Sequence, residues 1–495
     1  VAPGNYYNLT ATNEGLYYVA ASFRTPGHLK FFDLKDKKET ETGDINSYSI
    51  SNNQKKIIFK KGDDFFIEDV SKIKIEAKNK LNLSGLKINT DLHAEWKQIF
   101  DESWRQMRDY FYDPNMHGVN WKAMHDKYAV LLPYVNHRND LTYIIGEMIG
   151  ELSIGHAYVN SGDRPEAERI KMGLLGATFS RDKSGYYKID SILSGESWDK
   201  TLVSPLRQPG VNVKKGDYII SINGKDVSRL DNIYQALIGK ANQAIEILVN
   251  SKASVTGSRK IFVKPIDDES NLYYHEWVQQ NIAKVTKASG GKIGYLHIPD
   301  MGPEGLNQFA RYFYPQLDKE ALIIDDRGNG GGNVSPMIIE RLRRVPGLGT
   351  MMRNAKTANI KPDAQVGPKI CLIDQYSASD GDLFPYQFQF YKIGPLLGQR
   401  TWGGVVGIRG SLPFIDGADM RKPEFAHFAA DGSKFVIEGY GVDPDIEVVN
   451  DPHQEYLGND IQLLRAIEEM KRKLAEPGPK GVPPIPAFPD KSGKK

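Results

Sequence analysis

A short apolar run that ends abruptly at small polar residues leaves a chain few ways to continue. Ile370-Cys371-Leu372-Ile373 does this at Tyr376-Ser377-Ala378-Ser379-Asp380-Gly381-Asp382. The stretch that follows, Leu383 to Tyr391, is aromatic and amphipathic, so the pattern reads as buried strand, tight turn and helix. Ser379 then stands at a helix N-terminus, where unpaired backbone N–H groups stabilise a nearby developing anion. Ser377 and Ser379 would also serve as plain helix caps, so this turn alone does not decide the chemistry.

The same strand-to-turn device occurs upstream. Ala321-Leu322-Ile323-Ile324 runs into Asp325-Asp326-Arg327-Gly328-Asn329-Gly330-Gly331-Gly332, and a helix from Pro336 to Arg344 follows. With the strand Ile293 to Ile298 and a helix through Gly305 to Tyr314, the pattern from about 290 predicts βα units on a largely parallel sheet. Successive glycine N–H groups converge in such a loop to form an anion nest. The loop lacks both the Lys-Ser/Thr ending of a P-loop and the GxGxxG register, which argues against nucleotide binding and for oxyanion stabilisation.

The 495 residues correspond to roughly three or four domains. From Tyr6 to Asp69, short strands at turn-punctuated spacing predict antiparallel β-structure, and two similar phrases recur near the period of a propeller blade. That segment reads as a small open sheet or the end of a β-propeller, assigned to 1–75. Lys72 to Thr90 reads as a linker. Trp96, Ile99, Phe100, Trp104, Met107 and Phe111 then open a helical subdomain, assigned to 76–165, with further helices at Trp121 to Leu132 and Leu141 to Leu152. Residues 166–268 return to strands, with an Asn223-Gly224 hairpin turn and a helix expected at Leu230 to Leu237. The arrangement resembles a PDZ domain, with Gly173 and Gly176 in the loop whose N–H groups hold a peptide C-terminus. An α/β subdomain at 269–478 and a Pro-rich flexible tail at 479–495 complete a multidomain α+β chain.

Lys plus Arg, 64, nearly balance Asp plus Glu, 62, so nothing global favours nucleic acid or an anionic membrane as partner. No run approaches the roughly 18 apolar residues of a membrane span, and the first residues lack a signal pattern. The expectation is a soluble protein, cytoplasmic or periplasmic in a prokaryote. The single cysteine, Cys371, lies in an apolar run and reads as a small buried hydrophobe. With no Cys-x-x-Cys, His-Glu-x-x-His or calcium loop, no metal or other cofactor is expected.

A serine hydroxyl needs a neutral imidazole to accept its proton, and the chain has ten histidines. Nine lie in helix-surface, turn, polar or strand-end contexts. His156 differs, because Ser153-Ile154-Gly155-His156-Ala157-Tyr158 is a loop at the close of the helical subdomain, where a histidine beside glycine can project into a cleft.

Taken in order, Gly155-His156-Ala157-Tyr158, the Asp325–Gly332 nest, Tyr376–Asp382, Gly398-Gln399-Arg400-Thr401-Trp402-Gly403-Gly404-Val405-Val406-Gly407 and Glu438-Gly439-Tyr440-Gly441-Val442-Asp443-Pro444-Asp445 resemble the C-terminal half of tricorn proteases. These are serine endopeptidases of the C-terminal-processing peptidase group. The resemblance implies a crotonase-like α/β catalytic subdomain, with Ser379 as nucleophile, His156 as general base and Glu438 as charge-orienting residue. It implies an oxyanion hole from the N–H groups of Gly332 and Asp380, beside Gly331. It also implies peptide or unfolded-protein substrates and a homo-oligomer, a hexamer in the best-known members. Two departures stand out. The serine that the family places before the histidine is Gly155 here, leaving Glu438 to reach His156 directly, through water or through Ser153. The aspartate that selects basic residues is matched by Thr350, with Arg353 nearby. The rival reading is a non-catalytic scaffold in which the PDZ domain binds peptides beside a decayed protease site.

Overall fold

The computed structural model describes residues 4–22, 25–70, 79–164, 167–196, 198–354, 359–361, 363–478, 480 and 482–493. The expected boundaries near 75 and 165, and part of the expected linker and tail, lie outside the described residues. Two units are distinguished, residues 1–91 and 92–495.

In the first unit, strands β1 (Asn5–Ala11), β2 (Gly15–Ser22), β3 (Thr25–Asp33) and β4 (Lys38–Asp44) form an antiparallel sheet in that order. Strands β5 (Ser47–Ile50), β6 (Lys56–Lys61) and β7 (Asp64–Asp69) form a second one. Alternation does the work here, because Tyr17, Val19, Leu29 and Phe31 join Ile57, Phe59 and Phe66 in one core. The antiparallel expectation is met, while the described residues show two sheets and no propeller.

The second unit opens with helices α1 (Leu92–Tyr110), α2 (Trp121–Ala129) and α3 (Arg138–Gly150), followed by the short strand β8 (Tyr158–Val159). Next comes the PDZ-like sheet, built from β9 (Ala177–Arg181), β10 (Tyr187–Ile192), β11 (Tyr218–Ile222), β12 (Lys225–Asp226), β13 (Ile245–Asn250) and β14 (Arg259–Val263). Its path runs β14-β13-β11-β10-β9, with β12 paired to β11. Asn223 (φ 47°) and Gly224 (φ 76°) make the hairpin turn that the dipeptide requires. The helix expected over 230–237 is only a single 3-10 turn, Ile233–Ala236. Asn232 caps it at Tyr234 N–H, and Gly239 at φ 67° ends the segment before a second turn forms.

The remaining elements are α4 (Ser270–Ser289), β15 (Ile293–His297), α5 (Pro303–Phe313), β16 (Ala321–Asp325), α6 (Ser335–Leu342), β17 (Leu348–Thr350), β18 (Asn359–Lys361), β19 (Lys369–Ile373), α7 (Asp380–Phe390), β20 (Leu396–Gly398), β21 (Gly407–Arg409), β22 (Met420–Phe425), β23 (Ile446–Glu447), α8 (Pro452–Tyr456) and α9 (Ile461–Ala475). A five-stranded, all-parallel sheet runs β15-β16-β19-β20-β23. Strands β15, β16, β19 and β20 are buried at every residue because both faces are covered. Cys371 and Ile373 pack with Phe384 and Phe388 on one face, while Ile370 and Leu372 pack with Leu463 and Ile467 on the other.

One connection was not legible as a domain boundary. Phe414, Ala418 and Met420 enter the core of α1–α3, strand β22 pairs with β8, and Arg138 holds Asp416 at 2.7 Å in a buried ion pair. The helical layer is thus completed by a segment that returns from between β20 and β23 of the parallel sheet. No described helix is long and apolar enough to cross a membrane.

Candidate active site

Strands β16 and β19 are hydrogen-bonded neighbours, so the turns at their carboxyl ends meet. That edge of a parallel sheet is where open α/β folds place their ligands. Ala378 N–H donates to Asn329 O at 2.8 Å, tying the turn before α7 to the glycine nest. Ser379 is the N-cap of α7 with φ 58° and ψ −120°, a conformation that costs a non-glycine residue about 1–3 kcal/mol. Such strain at a strand-to-helix turn projects a serine hydroxyl, as at a nucleophile elbow.

The nest is fitted to this turn. Gly331 (φ 88°) lies so close that a Cβ there would stand 2.6 Å from Ser379 Cβ and 3.1 Å from Asp380 N. The N–H groups of Gly332 and Asp380 donate to no acceptor among the described residues, while neighbouring Gly331, Asn333, Gly381 and Asp382 all do. The Asp380 carboxylate faces the other way and caps α6 through Ser335 N–H and hydroxyl. Burial raises the pKa of the Asp380 carboxyl.

His156 follows the loop after α3, and its ring is buried. Nδ1 lies 2.6 Å from Val406 O. A carbonyl only accepts, so Nδ1 carries the proton and Nε2 keeps its lone pair. Burial lowers the pKa of the imidazole, opposed by the Val406 bond and the charge of Glu438. His156 is therefore neutral at physiological pH. Because its folded pKa lies below its unfolded one, it contributes stability above about pH 6.5 that is lost as pH falls through the folded value.

Residues 401–406 join the two halves. Trp402 N–H donates to Ser377 O at 3.0 Å, two residues before Ser379, and the indole meets the His156 ring edge-on with centroids 5.8 Å apart. No hydrogen bond links His156 to the Ser379 hydroxyl; both are instead held to this shared segment. Glu438 does not touch the imidazole. Its Oε2 accepts from Val405 N–H at 2.7 Å and Val406 N–H at 2.9 Å, fixing the backbone that presents Val406 O. Ile437 before it sits at φ 52°, an unusual conformation for a β-branched residue. Ser153 (φ 50°) is exposed, and its hydroxyl makes no hydrogen bond to either group. At Gly155 an added Cβ would meet only Trp402, at 3.7 Å.

The other expected site residues lie elsewhere. Thr350 and Arg353 are exposed, on and just after strand β17, without a recorded contact to Ser379 or His156. In the PDZ-like loop, Gly173 N–H donates to Leu237 O at 2.9 Å and Leu174 N–H to Ile266 O at 2.7 Å. Gly176 N–H donates to the Glu269 carboxylate at 2.7 Å. The chain itself occupies these donors, so a peptide carboxylate would have to displace Glu269. Among candidate metal ligands, His28, Glu41 and Asp44 group together in the first unit, outside these elements. Trp402 and the Val406 carbonyl, which contact His156, carried no local signal in the sequence as site groups.

Comparison with known proteins follows the same order along the chain. Residues 92–150 match the tricorn protease C1 domain, 173–268 the tricorn protease PDZ domain and 292–448 peptidase family S41. A putative tricorn-like protease C-terminal subunit from Sulfurisphaera tokodaii is 37% identical over 461 residues, covering 91% of this chain and 53% of that protein. A tricorn protease from Thermoplasma volcanium is 34% identical over 445 residues, covering 88% of this chain and 42% of that one. The crystal structure of the tricorn protease superposes with a TM-score of 0.88 at 30% identity, over 96% of this chain and 47% of that one. The chain thus spans about half the length, or less, of these relatives. By domain order, sequence and fold, it belongs to the tricorn protease family as a counterpart of its C-terminal half.

Proposed function

We propose that the chain is a serine endopeptidase acting on peptides or unfolded polypeptide through an acyl-enzyme on Ser379. The observation that carries this reading is the strained N-cap serine seated against a glycine nest with two N–H groups left undonated. His156 Nε2 takes the hydroxyl proton as Oγ bonds the scissile carbonyl carbon, and the displaced carbonyl electrons settle on oxygen. Gly332 and Asp380 N–H groups receive that oxyanion, each such donor being worth about 3–4 kcal/mol. Collapse breaks the C–N bond, the imidazolium protonates the leaving amine, and water then cleaves the ester with His156 again as base.

Val406 O answers the loss of the family serine at Gly155. An imidazole needs its far nitrogen held, and a backbone carbonyl does that as well as a hydroxyl. Gly155→Ser fits the open space and is expected to change the acylation rate less than about tenfold, because a second orienter adds little to a ring already held.

The decisive experiment is labelling with a fluorophosphonate probe. Wild type is expected to be labelled at Ser379 and Ser379→Ala to remain unlabelled. An unlabelled wild type that still binds peptide would support the scaffold reading. The acid limb of the labelling rate is expected below pH 6.5, because burial keeps His156 neutral to lower pH than a free imidazole. Because the family resemblance matches its base-selecting aspartate to Thr350, a peptide-library profile is expected to show no dominance of cleavage after basic residues. Light scattering of the purified chain checks the proposed homo-oligomer.

A further inference from the structure

Asp382 lies in the first turn of α7 and is 0% exposed. Its Oδ1 accepts Gly403 N–H at 2.7 Å. The Thr401 hydroxyl and the N–H groups of Ser379 and Gly404 also favour its anionic form. Gly403 lies between Trp402, which bonds Ser377 and abuts His156, and Val405-Val406, which Glu438 holds under the imidazole. One carboxylate on the nucleophile's own helix therefore grips the segment that orients the base.

We propose that Asp382 is a positioning residue that sets the Ser379 turn and the His156-bearing segment 401–406 in register for proton transfer. This rests on the acyl-enzyme reading above. The donors that converge on this carboxylate come from both the Ser379 turn and the 401–404 segment, so it spans the two. Burial pushes its pKa up to about 6. The ionisable neighbour that senses it is Asp326, itself fully buried, with Asp325 and Asp374 beyond. Asp380, two residues earlier, turns instead toward Ser335 and His427. A carboxyl whose folded pKa is raised contributes stability below its unfolded value near pH 3.9, and this is lost as pH rises through about 6.

Asp382→Asn keeps an acceptor for Gly403 N–H and removes the charge. Fluorophosphonate labelling of Ser379 at pH 8 is expected to slow about 100-fold, while the thermal midpoint holds or rises. The acid limb of wild type should be steeper than one proton, because His156 and Asp382 both titrate there, and should fall to one proton in Asp382→Asn. Asp382→Glu, which keeps the charge, should label faster than Asp382→Asn. Labelling of Asp382→Asn at the wild-type rate would overturn the inference and leave the Ser379 assignment standing. So would a midpoint and a rate lost together, which would mark a structural role. An unlabelled wild type would overturn both.

Discussion

His156→Ala is expected to lower the second-order rate of Ser379 acylation by about 10⁴-fold or more, measured with a fluorophosphonate or a peptide ester. The loss is this large because the other groups around the hydroxyl are backbone donors, which stabilise an anion and accept no proton. The change also leaves Val406 O, now bonded at 2.6 Å, without its donor, at a cost of about 1–3 kcal/mol. Stability and rate separate by magnitude, since a loss of that size leaves the fold populated while the chemistry disappears. Added imidazole should restore part of the rate in the alanine variant and none in Ser379→Ala. Equal labelling of wild type and His156→Ala would place the base elsewhere.

Gly331→Ala is the second large effect, and it acts on rate and stability at once. A Cβ there would stand 2.6 Å from Ser379 Cβ and 2.7 Å from Ala378 O, on a backbone at φ 88°. Positive φ and overpacking together should cost about 2–5 kcal/mol. Relief by moving the nest away from the turn would widen the gap between the Gly332 and Asp380 N–H groups. Acylation is expected to fall about 100-fold or more, the scale seen when one oxyanion donor is lost. Gly328→Ala is the control, since Gly328 has φ 69° but open space around it. Denaturant unfolding should show only the backbone strain there, with acylation within a few-fold of wild type. If both variants label alike, the close fit of nest and turn is irrelevant to the chemistry.

The elements that position Ser379 were legible because they are local. Ile370–Ile373 and Ala321–Ile324 are apolar without alternation, which only a strand covered on both faces tolerates, and each ends at glycine or small polar residues. His156 stood out through its loop and family motif. What held it did not, because Val406 acts through a carbonyl oxygen that every residue possesses. Glu438 was legible as a charge, but its use on two backbone N–H groups depends on the sharp bend at Ile437. The resemblance to a PDZ domain offered Gly173 and Gly176 as peptide donors, and it took the fold to bring Glu269 onto Gly176. The return of Phe414 and Met420 into the helical core had no local signature, since apolar residues far apart in sequence say nothing of which core they join.

That return has a consequence for the order of events during synthesis. Ser379, the nest and α7 are all made before Val406, and the chain must extend to Met420 before β22 can pair with β8. A nascent chain that ends before Val406 therefore has the nucleophile but lacks the carbonyl that supports the imidazole, and closing that contact joins residues 250 positions apart. On the proposed mechanism, proton transfer from Ser379 waits until residues made after the nucleophile have joined the fold.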